Sequence, residues 1–437
     1  MTFVIAIATC CRWARHTAAG RRDSSGRIGL ALGLAAVLLA GGGTTAVDQE
    51  SKAIPPFKRV LIDRDPPKQP YYKLVGDVNG DGNNDIVVAG RVGPIVIYSG
   101  PEWKKSVIAA GGFNGGVNGS LADLNGDGRL DIVMGSIVWF ENPASAGAEW
   151  KVHRIDEQNI HDIEVADLDG DGRLDVVCRG QSAFGRSGNE VFVYHQTAPD
   201  TWKKARIESP HGEGLKVADV GGDGKPDVVI GTIWYRNDSD QWAKHQCGPQ
   251  WTEPDTKVEV GDINGDGRPD IVLTPAELKG ERSRISWFES PIGDRTKTWK
   301  EHVIVPDIEC VIHSLALGDF NQDGALDVAY AEMHQGADPD EVVVMFNGNR
   351  GEKWQKLVVD ADGSHDIVAA DLDGDGDLDI IGANHDGVHP VILWENQLAS
   401  KVTPAASWTP LDNRRTGGAR VLMTGLPPRE KNPPMRS

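Results

Sequence analysis

The chain has 437 residues and a formal net charge of −19 at pH 7. Its middle is more acidic still: residues 47–397 hold 61 Asp and Glu against 33 Lys and Arg, a net of −28. That argues against a nucleic acid or an anionic membrane as partner, because phosphate-binding surfaces are basic, and it suits a protein that gathers divalent cations. Length alone allows two or three average domains, but one repeat array fills most of the chain.

Residues 1–46 read as an export signal. Arg12, Arg15, Arg21, Arg22 and Arg27 precede an apolar run over 28–40. The run is shorter than the ~20 residues of a membrane span and fits a signal h-region, with small residues through Ala46 as the cleavage region. An uncleaved signal anchor is the alternative, and the long n-region points to a start codon further along. Arg21-Arg22 lacks the apolar context of a twin-arginine signal, and no lipobox precedes Cys10. After cleavage no membrane span remains, and the expected location is extracellular or periplasmic. Beyond the signal only Cys178, Cys247 and Cys310 remain, an odd, sparse set that forms no disulfide framework and suits small core residues.

From residue 55 to 397 one unit recurs. It starts with an aromatic-anchored strand: FKRVLI at Phe57, WKKSVI at Trp103, WKVHRI at Trp150, WKKARI at Trp202, WAKHQC at Trp242, WKEHVI at Trp299 and WQKLVV at Trp354. The period-two alternation marks a strand. An apolar strand follows, then a nine-residue aspartate loop, a buried run such as DIVVAG or DIVLTP, and a third strand such as VIYSG, IVWFEN or VILWENQ. Four strands per repeat and seven repeats predict an all-β seven-bladed β-propeller. The chain begins with an outer-type strand and ends after a third strand, so the N-terminal strand should complete the last blade and remove its open edge. The aromatic residues are expected to pack blade on blade. The tail, 398–437, is rich in Pro, Gly and Arg and reads as disordered.

The aspartate loops are DVNGDGNND, DLNGDGRLD, DLDGDGRLD, DVGGDGKPD, DINGDGRPD, DFNQDGALD and DLDGDGDLD. Ca²⁺ takes six to eight hard oxygens. Places 1, 3, 5 and 9 supply side-chain oxygens, place 7 a backbone carbonyl, and glycine at place 6 allows the sharp turn. The predicted ligands are Asp77, Asn79, Asp81 and Asp85; Asp123, Asn125, Asp127 and Asp131; Asp167, Asp169, Asp171 and Asp175. They continue as Asp219, Asp223 and Asp227; Asp262, Asn264, Asp266 and Asp270; Asp319, Asn321, Asp323 and Asp327; Asp371, Asp373, Asp375 and Asp379. Up to seven structural Ca²⁺ are expected. The fourth site should be the weakest, because Gly221 stands at place 3. The sixth has Gln322 at place 4, where no ligand is needed.

These loops and the WFEN-like strands resemble the FG-GAP/VCBS-like repeats of integrin-α-type propellers. The resemblance covers residues 55–397 and implies a Ca²⁺-loaded propeller, often secreted. It leaves activity open, because the family includes adhesion and ligand-binding modules as well as propeller domains of carbohydrate-active enzymes.

All seven loops should lie on one face of the disc. On the other face, six places before each first aspartate, come Tyr71, Val117, His161, Glu213, Thr256, His313 and His365. Histidine is the usual general acid or base and a common metal ligand. Asp162 and Asp366 follow two of these histidines, and His211 lies near Glu213. Loops linking second to third strands on that face are longer in blade 3 (Arg179, Gln181, Phe184), blade 5 (Glu277, Lys279, Glu281), blade 6 (Glu332, His334) and blade 7 (Asn384, His385, Asp386). Trp251, Phe113 and Phe184 are candidates to stack on sugar rings.

Two functions follow. One is a binding propeller that engages a glycan or protein through this face, with Glu213, His211, Trp251, Glu332, His334 and His385 as contacts. The alternative is a polysaccharide lyase or sugar dehydratase. There His161, His313 or His365 exchanges the proton, Tyr71 donates, and Arg179 neutralises a carboxylate. A transition metal at His161, His313 and His365 is a third arrangement within the enzyme reading. No Ser-His-Asp elbow, phosphate-binding glycine loop or zinc-protease helix motif occurs in the sequence. Oligomeric state is not legible.

Overall fold

The protein is represented by a computed structural model that describes residues 54–398, apart from 91–92, 112–118, 146, 159, 181–189, 240, 338 and 386–388. The expected signal, the tail beyond Leu398, and Phe113, Val117, Gln181, Phe184 and Asp386 lie outside the described residues.

The described residues form seven four-stranded antiparallel sheets and no helix. Six sheets take four consecutive strands. The seventh joins Phe57–Asp63 to the three last strands of the chain. Phe57 pairs with Asn396 and Leu61 with Ile392, so the N-terminal strand closes the ring as expected. The inner strands are Pro70–Gly76, Gly119–Ala122, Ile160–Ala166, Lys216–Ala218, Thr256–Gly261, Ile312–Gly318 and His365–Ala370, for blades 1 to 7.

The burial pattern follows from this layering. Second strands such as Asp85–Gly90 are buried at every position because both of their faces meet a neighbouring blade. Outermost strands such as Lys353–Asp360 keep exposed positions between partly buried ones. Seven apolar clusters occupy the seven blade interfaces, each drawing on two adjacent blades. Trp103 packs on the cluster between blades 7 and 1, and Trp150 on that between blades 1 and 2. Trp202, Trp242, Trp299, Trp354 and Phe57 follow in turn around the ring. Cys178, Cys247 and Cys310 are buried in blade-interior positions and form no disulfide.

A polar stitch crosses each interface as well. Asn142, Asn237, Asn347 and Asn396 donate their side-chain N–H to the carbonyls of Val78, Leu168, Ile263 and Phe320 in the preceding blade, at 2.7, 2.7, 2.8 and 2.9 Å. Gln196 does the same to Leu124 at 3.1 Å. Blades 5 and 1 carry Ser290 and Gly100 at this position. There Arg295 reaches the Val220 carbonyl at 3.1 Å and Asn84 the Asp371 carbonyl at 2.7 Å.

Asn347 is buried, and its amide also donates to the Leu326 carbonyl at 3.0 Å. Asn347→Ala leaves two carbonyls short of a donor and should cost about 1–3 kcal/mol. Denaturant unfolding is expected to show a lower midpoint with an unchanged slope. A midpoint equal to wild type would show that the stitch carries no stability.

Candidate functional site

Two groups of chemically able side chains lie at opposite ends of the inner strands.

The first comprises the aspartate loops, each between an inner strand and the second strand of its blade. In blade 1, Asp77 accepts the N–H groups of Gly80, Asp81 and Gly82 at 2.8–3.0 Å. Asn79 accepts from Asp81 and Asp81 from Asn83. The ninth-place carboxylate is buried, accepting from Val78 at 3.0 Å and from Gly100 on the third strand at 3.1 Å. The same third-strand contact recurs in every blade, from Asn142, Gln196, Asn237, Ser290, Asn347 and Asn396. Gly80 and Gly82 have φ of 77° and 91°, the left-handed region that favours glycine, and Gln322 takes φ 54° at the matching place in blade 6.

Oxygens of Asp167, Asp169 and Asp171, and of Asp371, Asp373 and Asp379, lie within 4.8 Å of one another. Burial, together with neighbouring carboxylates, lifts Asp227, Asp270, Asp327 and Asp379 to about 7, although backbone donors pull the other way. Anionic oxygens crowded in this way fit a hard divalent cation. Blade 4 fits least. Besides the missing oxygen at Gly221, the guanidinium of Arg295 lies against Gly222, where a Cβ would stand 2.5 Å from its Cζ.

The second group gathers at the other end. The inner strands of blades 1, 3, 6 and 7 are irregular there. Register shifts fall between Pro70 and Tyr72, Ile160 and Asp162, and Ile312 and Ser314, so Tyr71, His161 and His313 are the bulged residues. A bulge re-aims a side chain out of the ladder. His161, Glu213, His313 and His365 are all buried. His161 Nε2 lies 3.3 Å from Glu213 Oε1, and His313 Nε2 lies 4.0 Å from Glu213 Oε2 and 2.6 Å from Glu277 Oε1. The His313 and His365 rings are 5.2 Å apart. His385 is 4.5 Å from His365, and His334 is 4.5 Å from His385. Tyr71 flanks His365 at 6.0 Å. The result is a continuous row of imidazoles and carboxylates from blade 3 to blade 7.

Burial sets the protonation of the row. Glu213 is pushed well above the carboxylate range by burial and then by Glu277, Asp255 and Asp162. His365 falls well below its usual value through burial and the neighbouring His385 and His313. His385 falls to about 2 by burial and then by His334. Burial also lowers His161, against the pull of Asp162. For Asp162, burial works upward but His161, Lys257 and Arg179 prevail, holding it ionised.

Some expected contacts are corrected. Trp251 is buried, donates to the Glu253 carbonyl at 3.1 Å, and packs edge-on to Phe288 with the Arg284 guanidinium over its ring. It is a core residue with no ring face left for a sugar. Arg179 is buried and donates to the carbonyls of Glu213, Gly214 and Pro210. Its charge braces the turn into blade 4 and is spent before any substrate carboxylate could meet it. Lys279 and Glu281 lie on a strand, Leu278–Glu289, that pairs with Lys300–Cys310. Glu332 accepts the Glu341 N–H at 3.0 Å. His334 donates its backbone N–H to Asn384 at 3.4 Å, and His211 is half-buried near Asp255. Thr256 bonds the Thr274 carbonyl.

Sequence reading passed over the ion network that fills the axis beside the histidine row. Lys216 lies 3.6 Å from Glu164 and 3.1 Å from Glu259, and Lys73 donates to the His365 carbonyl at 2.6 Å with Asp366 3.9 Å away. A cavity of about 10 Å³, the size of one water, remains among Asp162, Lys257, Glu259 and Asp366. The signal was present as charged residues at alternate places in strands otherwise apolar.

Fold and site together define a repeat β-propeller with acidic loops at one end of its axis and a histidine–glutamate row at the other. The FG-GAP-like repeat model matches residues 77–134, 167–230, 262–330 and 319–382, more than half of the chain. The protein belongs to the FG-GAP-like repeat family. No curated protein matches the chain. Among solved structures it is similar to BBS1N in complex with ARL6DN (mercury soak), with TM-score 0.51, 11% identity, and 80% of this chain and 99% of that chain covered. The V. cholerae biofilm matrix protein Bap1 gives TM-score 0.46, 11% identity and coverage of 84% and 98%. At such identities the likeness is one of fold. Among the described residues no helix is long and apolar enough to cross a membrane.

The axis yields a pH prediction. Burial, with Glu259 and Asp162 adding and Lys216 opposing, lifts Glu164 from 4.5 to about 7. A raised carboxyl favours folding below its unfolded pKa, and that contribution is lost as pH rises through about 7. Glu164→Gln should therefore gain stability over wild type between pH 5 and 7.5, by up to about 3 kcal/mol. Denaturant titrations at both pH values test this, and a difference that does not change with pH rejects it.

Proposed function

We propose that this protein is an exported, Ca²⁺-stabilised propeller that binds a glycan or protein ligand at the histidine-bearing end of its axis. The observation that carries the reading is the gathering of His161, Glu213, His313 and His365 with Glu277 and His385 at one end of the inner strands. Burying that many ionisable groups lowers stability, and a fold that needs only to close its ring has no use for them. Calcium is supported by the crowded loop carboxylates, whose mutual repulsion a divalent ion offsets. Export is supported by the reading of residues 1–46.

The second reading is an enzyme acting on a carbohydrate. The specific observation in its favour is the contrast between Glu213, pushed up by burial, and His161 beside it, pushed down by burial, with His313 paired to Glu277 at 2.6 Å. Groups driven apart in pKa this way can divide acid and base work. Arg179 is not available for charge neutralisation in this scheme.

Two outcomes are expected. Chelation with excess EGTA should lower the melting temperature. If each Kd is near ~10⁻⁴ M, millimolar Ca²⁺ contributes about 1.4 kcal/mol per site. An unchanged melt would remove calcium from the reading. On a glycan panel the protein should bind at least one member, with binding reduced at least tenfold in His365→Ala. Release of unsaturated product, lost in His161→Ala and His313→Ala, would select the enzyme. Binding without turnover would select the module.

A further inference from the structure

We infer that the histidine end of the axis holds one divalent first-row transition ion, ligated by Glu213, Glu277 and His313, with His161 and His365 adjoining. The inference deepens the ligand-binding reading and rests on it for the choice of this end as functional.

One ligand atom from each of Glu213, Glu277 and His313 lies within 4.8 Å of the other two, and all three residues are buried. They come from three blades: the turn into blade 4, the second-to-third turn of blade 5 and the inner strand of blade 6. Glu277 sits at φ 68°, a left-handed conformation that a non-glycine residue rarely adopts. Strain of this kind costs of order 1–3 kcal/mol and clusters where a side chain must be aimed.

The flanking histidines point independently to a metal. His161 Nδ1 lies 3.1 Å from Asp162 Oδ2, which also accepts the Gly214 N–H at 3.0 Å, so Nδ1 is the donor. Its buried Nε2 then carries the lone pair and faces Glu213 at 3.3 Å, with no hydrogen-bond partner among the described residues. His365 repeats the pattern. Its Nδ1 donates to the Tyr71 carbonyl at 3.2 Å, and its buried Nε2 has no hydrogen-bond partner among the described residues. A neutral imidazole with Nδ1–H anchored to a carboxylate or carbonyl and Nε2 unprotonated is the arrangement of a metal-binding histidine.

Charge and ligand type indicate the ion. Glu213 and Glu277 are buried acids that ionise readily only with positive charge close by; Lys257 and Arg179 act on Glu213 from the axis, and an ion seated between the two acids would act on both. Imidazole mixed with carboxylate suits Mn²⁺ to Zn²⁺, whereas Ca²⁺ prefers an all-oxygen shell such as Asp371, Asp373 and Asp379 offer. The two ends of the axis would then sort hard from borderline cations.

The test uses the full chain, stripped by chelation and dialysed into millimolar Ca²⁺ to fill the loops. Co²⁺ is titrated as a spectroscopic probe and Zn²⁺ as competitor. One Co²⁺ per chain is expected to bind with visible ligand-field bands, and Zn²⁺ should displace it. Affinity should fall at least tenfold in Glu277→Gln and His313→Ala, and stay unchanged in the loop variant Asp169→Asn. Melting curves identify any variant that fails to fold. Should His313→Ala be one, Glu277→Gln decides. Absence of bands in wild type, or bands untouched by Glu277→Gln, overturns the inference, as does their loss in Asp169→Asn. The same samples go onto the glycan panel. Ligand binding without Co²⁺ uptake rejects the ion and keeps the ligand reading, and Co²⁺ uptake without ligand binding does the reverse.

Discussion

The ring depends on one hydrogen-bond relay. In each blade the ninth-place aspartate accepts the backbone N–H at the end of the third strand, and in five blades that same residue sends its side-chain amide to the preceding blade. Apolar packing between blades is strong but non-directional. The amide fixes how far one blade slides against the next. Because a repeat array contacts only its neighbours, an error at one interface would carry around the ring and leave the last blade unable to pair with Phe57–Asp63. The two exceptions support this account: where Ser290 and Gly100 cannot reach, Arg295 and Asn84 restore the contact from other positions.

This places the acidic loops inside the architecture. The first-place aspartate shapes the turn, and the ninth anchors the third strand. The carboxylates are fixed by backbone donors, so little ordering entropy would oppose the binding of a cation. Burial first, with the neighbouring carboxylates adding to it, pushes four of the ninth-place aspartates, that of blade 4 among them, up to about 7. Blade 4 has one oxygen fewer, at Gly221, and places Arg295 alongside.

Blade number, strand order and closure were legible because period and alternation carry them, and they depend on local pattern alone. The axial histidines were legible by counting back from each first aspartate, since the inner strand has nearly constant length. What failed depended on contacts far along the chain. Trp251 read as a sugar platform, but Phe288 and Arg284, more than thirty residues on, cover it. Arg179 read as a substrate clamp until carbonyls thirty-four and thirty-five residues away claimed it. Lys279 and Glu281 read as loop; they fall in a register break of a strand whose flanking residues Leu278 and Arg282 pair with Cys310 and Glu309, far along the chain. Glu277 stood in view among the blade 5 residues, and only the fold brings it to His313.

The two ends of the axis solve opposite electrostatic problems. At the loop end, half-exposed carboxylates face water and are compatible with exchangeable ions. At the histidine end, carboxylates and imidazoles are fully desolvated, so each negative charge must be met by a proton, a fixed cation or a metal. Fixed cations serve the middle of the axis, where Lys216 lies between Glu164 and Glu259. Beside Glu213 and Glu277 stand the imidazoles of His161 and His313. An imidazole differs from a lysine in one respect that matters here: in its neutral form it can give a lone pair. A proton at this end silences either a carboxylate's charge or an imidazole's lone pair, whereas a divalent ion would use both kinds of ligand.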